Sequence, residues 1–102
     1  MRLLCMFDLP MDTKEEQKHY RNFRKKLIKE GFVMMQYSIY VRICPSREYA
    51  HRLEARLQKI VPPCGNIRLL TVTEKQFQDM KLLVGTRRKS ETALGTERLI
   101  VL

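Results

Sequence analysis

Asp8 closes an otherwise apolar run, Leu3-Leu4-Cys5-Met6-Phe7, and no other acid in the chain follows such a run. The run shows no alternation of apolar and polar residues, so it reads as a central strand buried on both faces. Pro10 cannot continue a central strand and ends it. A carboxylate at the end of a buried first strand, just before a helix, suits a hard cation that takes oxygen ligands and keeps several of its waters. One Asp8 makes a poor site, whereas two Asp8 side chains facing across a dimer axis make a workable one. Mg2+ there, or Mn2+ in its place, would activate a bound water and stabilise the oxygens around phosphorus during phosphodiester cleavage. The residues alone also allow a plainer role, in which Asp8 only turns the chain or caps the next helix.

Other chemistries find less support. There is no P-loop and no GxGxxG. His19 and His51 fall on helix surfaces without evident acidic orienters, which argues against a nucleophile–base pair. Cys5, Cys44 and Cys64 are isolated, with no C-x-x-C and no Cys/His zinc spacing. Cys5 and Cys44 read as small buried hydrophobes in a reducing cytoplasm. The start of the chain is too short and too acidic for a signal peptide, and no apolar stretch reaches the ~18 residues of a membrane span.

The charge balance points to a polyanion. Twenty Lys and Arg against eleven Asp and Glu give a net charge of +9 on 102 residues, while 44% hydrophobic residues support a real core. Part of this charge is organised. Thr13 and Glu16 have capping-box spacing and Gly31 is a helix stop, so a helix runs between them. Tyr20, Phe23 and Leu27 form its apolar stripe. Lys14, Lys18, Arg21, Lys25 and Lys29 fall within an arc of about 80° on the opposite side, a ladder suited to phosphates. A Lys-rich solvated face is the plainer alternative.

The elements that position these residues follow in order. Val33 to Ile43 alternates without a Gly, Pro or Asn break. That predicts one long strand, bent near Ser38, rather than a tight hairpin. At roughly 33–36 Å it exceeds one small sheet, leaving an edge for a second subunit. Ser46 caps a second helix with Ala50, Leu53, Leu57 and Ile60 inward, and Pro62-Pro63 lies beyond it. Gly65-Asn66 turns into a strand from Ile67 to Val72. Thr73 and Gln76 cap a short helical turn, and Lys81 to Val84 is a short strand. The order predicts an α+β, ferredoxin-like sandwich: an antiparallel sheet with two helices on one face. Residues 1–84 form this domain; residues 85–102 are a basic loop and a C-terminal strand that contribute to a dimer.

These features together resemble the Cas-two family, the small CRISPR-associated adaptation proteins. Phe7-Asp8-Leu9-Pro10 resembles the strand that ends in the family's hallmark aspartate. Gln36-Tyr37-Ser38-Ile39-Tyr40 resembles its Gln-x-Ser-hydrophobic-aromatic motif, with one basic helix ending in Gly31-Phe32 between the two. Thr13-Lys14-Glu15-Glu16 and Gly31-Phe32-Val33-Met34 look closest to the branch beside Cas-nine effectors. The resemblance implies a homodimer with both Asp8 carboxylates facing one magnesium ion. It implies a metal-dependent endonuclease on RNA or DNA in some members and a scaffold in others. The scaffold joins two dimers of the Cas-one integrase along double-stranded protospacer DNA. Arg87 and Arg88 resemble an arginine pair that contacts the DNA backbone. Lys14 stands where arginine is frequent, keeping the charge but losing the bidentate grip.

The expectation is therefore a spacer-acquisition subunit with magnesium-dependent endonuclease activity, catalysis and metal at Asp8, and nucleic acid at Lys14, Lys18, Arg21, Arg87 and Arg88. Two alternatives stay open: a stand-alone toxin-type ribonuclease of the same fold, and a non-catalytic nucleic-acid-binding domain. Against the latter, no Gly-flanked aromatic motif of an RNA-recognition sheet is present.

Overall fold

Apolar runs and capped helices alternate along the chain as β1 (Arg2–Asp8), α1 (Lys14–Lys29), β2 (Val33–Gln36), β3 (Ile39–Ile43), α2 (Arg47–Gln58), β4 (Asn66–Val72), α3 (Glu74–Gln78), β5 (Lys81–Leu82) and β6 (Ile100–Val101). The computed structural model describes residues 1–85 and the backbone of residues 100 and 101. Four strands form one antiparallel sheet in the order β2-β3-β1-β4. With one helix in each crossover this is the ferredoxin-like βαββαβ arrangement, as the element order predicts.

Side-chain alternation divides the sheet into two faces. Leu3, Cys5 and Phe7 of β1 share a core with Phe23 and Leu27 of α1 and with Ala50, Leu53 and Leu57 of α2. Leu4 belongs to a smaller cluster on the other face, with Val41 and Phe77. Both helices thus cover one face, and among the described residues the short α3 covers part of the other. Burial pushes the Cys5 thiol up to about 12, so it packs as a neutral hydrophobe. Cys44 is buried too, and Cys64 is exposed.

The helix ends follow the caps legible in the sequence. Thr13 Oγ1 accepts from the Glu16 N–H at 3.1 Å, and Glu16 Oε1 accepts from the Thr13 N–H at 2.9 Å. At the far end Phe32 N–H donates to Leu27 O and Gly31 N–H to Ile28 O, both at 3.0 Å. That is a Schellman motif, and its positive φ of 92° explains the glycine.

One expectation needs correction. Residues 33–43 are not one long strand. They form a hairpin, β2 to β3, that turns at Tyr37-Ser38, with Ser38 at φ 64°. Alternation survives the turn because an irregularity between Met34 and Gln36 shifts the register by one residue. The excess strand length that pointed to a second subunit does not exist. Within this chain, Ile100–Val101 pairs in parallel with Lys81–Leu82. Arg87 and Arg88 lie outside the described residues.

A buried arginine fastens α3. Arg2 is 1% exposed, its Nε and Nη2 donate to Glu74 at 2.9 and 2.6 Å, and its guanidinium lies 4.1 Å from the Phe77 ring centroid. The hydrogen bonds from Arg2 hold the Glu74 carboxyl below the usual carboxylate range. A depressed folded value contributes stability above the unfolded value, and that contribution disappears as pH falls through the folded one. The urea midpoint is therefore expected to fall with acidification below the ordinary glutamate range, and less steeply in Glu74→Gln. Identical acid profiles for the two proteins would contradict this.

Candidate active site

Three connections converge on the end of β1 that carries Asp8: the segment 9–13, the hairpin turn at Tyr37-Ser38, and the segment 59–65. Phe7 N–H donates to Ser38 O at 3.0 Å, tying the turn to the strand end. On the other side Asp8 pairs with Asn66 in the β1–β4 ladder. Gly65, at φ 94°, sits so close that a Cβ there would lie 2.5 Å from Leu9 Cδ2 and 2.9 Å from Asp8 O. Only glycine fits that approach without moving the strand end.

Phe7 anchors the position from within. Its ring centroid lies 5.9 Å from Tyr20, 5.4 Å from Phe23 and 5.7 Å from Tyr40. Tyr40 is 1% exposed, and its hydroxyl accepts from Arg24 Nε at 2.7 Å. The Gln36-to-Tyr40 motif thereby acquires physical content. Ser38 makes the turn, Ile39 faces the open side, and Tyr40 stacks under Phe7. Alternation puts Asp8 on the open face with Leu4 and Met6, where it is exposed.

There it borders a shallow cleft of about 340 Å³, lined also by Met6, Tyr37, Ser38, Ile39, Asn66 and Arg68. Among the described residues no three His, Cys, Asp or Glu side chains converge on one point. The described residues of one chain therefore make no all-protein metal cage. Asp8 supplies a carboxylate, and Ser38 and Asn66 supply neutral oxygens along the same cleft. This set fits a hard cation that keeps most of its waters, and fits it better when a second copy doubles the carboxylates.

The cationic ladder lies elsewhere. Lys14, Lys18, Arg21, Lys25 and Lys29 are all exposed on α1, away from the buried Phe23 and Leu27. Because α1 packs on the helix-covered face, the ladder and the Asp8 cleft occupy opposite sides of the sheet. Only Lys14, in the first turn, lies near the Asp8 end. The histidines do have acidic neighbours, contrary to the sequence reading: His19 is 3.7 Å from Glu15 and His51 is 4.0 Å from Glu54. Both are contacts within one helix surface, with no nucleophile beside them. Sequence reasoning misses Asn66 and Arg68 as cleft residues and Gly65 as a close-packing one. Only the Gly-Asn pair gives a signal there, and by itself it reads as a turn.

The family model described as CRISPR associated protein Cas2 matches residues 1–80. This chain belongs to the Cas2 family. The chain is 48% identical over 102 residues to a "CRISPR-associated endoribonuclease Cas2" of Ligilactobacillus salivarius, covering 100% of both chains. A protein of the same name in Streptococcus mutans serotype c is 48% identical over 102 residues, covering 100% of this chain and 93% of the other. One from Campylobacter jejuni is 49% identical over 85 residues, covering 83% of this chain and 59% of its own. The ferredoxin-like sheet and the Asp8-bearing strand fall within the matched residues.

Proposed function

We propose that this chain is a spacer-acquisition subunit that works in the cytoplasm as a homodimer. The dimer bridges Cas-one integrase dimers on double-stranded protospacer DNA and carries a metal-dependent endonuclease centre at Asp8. The observation that carries the nuclease reading is the exposed Asp8 carboxylate on a strand end held by Phe7, Ser38 and Gly65, at the rim of a cleft that Ser38 and Asn66 also line. The endoribonuclease name of its relatives supports the same reading. No helix among the described residues is long and apolar enough to cross a membrane.

The sheet itself supports a dimer. Its open face carries Ile43, 36% exposed, and Leu70, 50% exposed, beside the half-buried Met6. A second copy on this face would bury that apolar surface and set two Asp8 carboxylates near one axis. Mg2+ or Mn2+ held there supplies Lewis-acid stabilisation and an activated water. Asp8 would hold the cation, with Ser38 and Asn66 as further oxygen donors along the cleft. Phe7 and Gly65 hold the backbone that carries this carboxylate.

Duplex DNA belongs on the other side, along Lys14, Lys18 and Arg21, with Arg87 and Arg88 as further contacts. These side chains grip phosphates without base readout, as a scaffold for arbitrary sequences requires. In a reconstituted reaction with integrase, protospacer duplex and repeat target, insertion is expected to require this chain. Replacing Lys14, Lys18 and Arg21 by Ala should lower insertion. It should also flatten the slope of log K against log salt by about 0.9 for each phosphate no longer neutralised. Insertion that proceeds equally without this chain would overturn the proposal.

A further inference from the structure

We infer that the Asp8 cleft has two subsites of its own, a phosphate subsite at Arg68 and a base-stacking subsite at Tyr37. Together they take one unpaired nucleotide of a single RNA strand. The inference rests on the proposed role of Asp8 and assigns the groups that seat the substrate beside it.

The register places Arg68. Asp8 pairs with Asn66, so Arg68, two residues on along β4, is its diagonal neighbour on the same face. Such neighbours stand about 7–8 Å apart, within reach of a long side chain. Arg68 nevertheless makes no ion pair with Asp8. Among the described residues it has no ion-pair partner, and it is the only cation of these that lines the cleft. A planar fork of donors without a carboxylate partner, beside an acid that would hold a cation, suits a phosphodiester. None of the ladder's side chains lines this cleft.

Tyr37 supplies the second group. It stands at the tip of the β2–β3 turn, lines the same cleft and is 81% exposed. The bond from Phe7 N–H to Ser38 O fixes that tip against β1. An exposed ring on a fixed turn is a stacking platform for a base, and stacking tolerates any sequence because every base has a π face. A base inside a duplex already has both faces covered, so the platform selects an unpaired one. A cleft of about 340 Å³ is at the small end of ligand sites, in keeping with a single nucleotide.

The test uses the full chain in an Asp8→Asn background with EDTA, so that neither cleavage nor metal contributes. Binding of a short unstructured fluorescein-labelled RNA is followed by anisotropy at several salt concentrations. Arg68→Gln should weaken binding and flatten the salt slope by about 0.7, the value for one phosphate of a single strand. Arg68→Lys should keep the slope and lose part of the affinity. Tyr37→Ala should weaken single-strand binding by about 5- to 100-fold and Tyr37→Phe should restore it. A blunt RNA duplex should respond to neither Tyr37 change. An unchanged slope in Arg68→Gln, an unchanged affinity in Tyr37→Ala, or a shift in sedimentation of either variant would overturn the inference; the last would make these residues interface contacts. Failure of the Asp8 reading looks different: Asp8→Asn would still cleave RNA when Mg2+ is restored.

Discussion

Asp8→Asn is expected to take metal-dependent RNA cleavage to background, a loss of more than about 100-fold. Disturbing residues that merely orient metal ligands costs about 10- to 100-fold in affinity or activity, so removing the anionic ligand itself should cost more. No cluster of three acidic, His or Cys side chains among the described residues could take over. Asparagine keeps the shape, and Asp8 is exposed, so the fold has no reason to suffer. If two carboxylates face one another in the dimer, removing their repulsion stabilises it slightly in the absence of metal. Cleavage of defined RNA and DNA strands, with and without Mg2+, reads this directly. Full activity in a carefully purified Asp8→Asn protein would place the chemistry elsewhere.

Phe7→Ala should produce the largest loss of stability. The side chain is 6% exposed and touches three aromatic rings from two layers of the fold. Truncating such a residue costs about 3–5 kcal/mol, through reduced burial and the cavity left behind. Small domains have about 5–15 kcal/mol in total, so the variant should sit near the edge of folding. Its neighbour Asp8 loses its internal anchor at the same time. Cleavage should therefore fall even at temperatures where the variant remains folded. Phe7→Leu should be milder. The urea midpoint measures the effect, and a loss below about 1 kcal/mol in Phe7→Ala would contradict the packing role.

Much of the fold is legible in the sequence because its signals are local. Thr13 with Glu16, Ser46 ahead of Tyr49, Thr73 with Gln76, and Gly31 each announce a helix end by their own chemistry. Asp8 stands out for a similar reason, as a charge at the end of an unbroken apolar run. The hairpin does not announce itself. Tyr37-Ser38 contains no Gly, Asn or Asp, and the irregularity before it preserves the alternation that a turn would normally break. Its bond to β1 joins residues far apart in sequence, so no local pattern could reveal it. Arg68 is hidden in the same way. Along β4 it is one polar residue among alternating positions, and only the register with β1 brings it beside Asp8. Helical periodicity suffices to put the ladder on the outer face of α1, but which side of the sheet α1 covers depends on packing. The separation of the Asp8 cleft and the cationic ladder therefore emerges only in three dimensions.

The most direct test of the Asp8 centre is a count of bound cation by Mn2+ titration, followed by electron paramagnetic resonance on protein whose mass is fixed by sedimentation. The shared site predicts one tightly held Mn2+ per two chains in the wild type and none in Asp8→Asn, with the dimer intact in both. One Mn2+ per chain, or undiminished binding in Asp8→Asn, would contradict it.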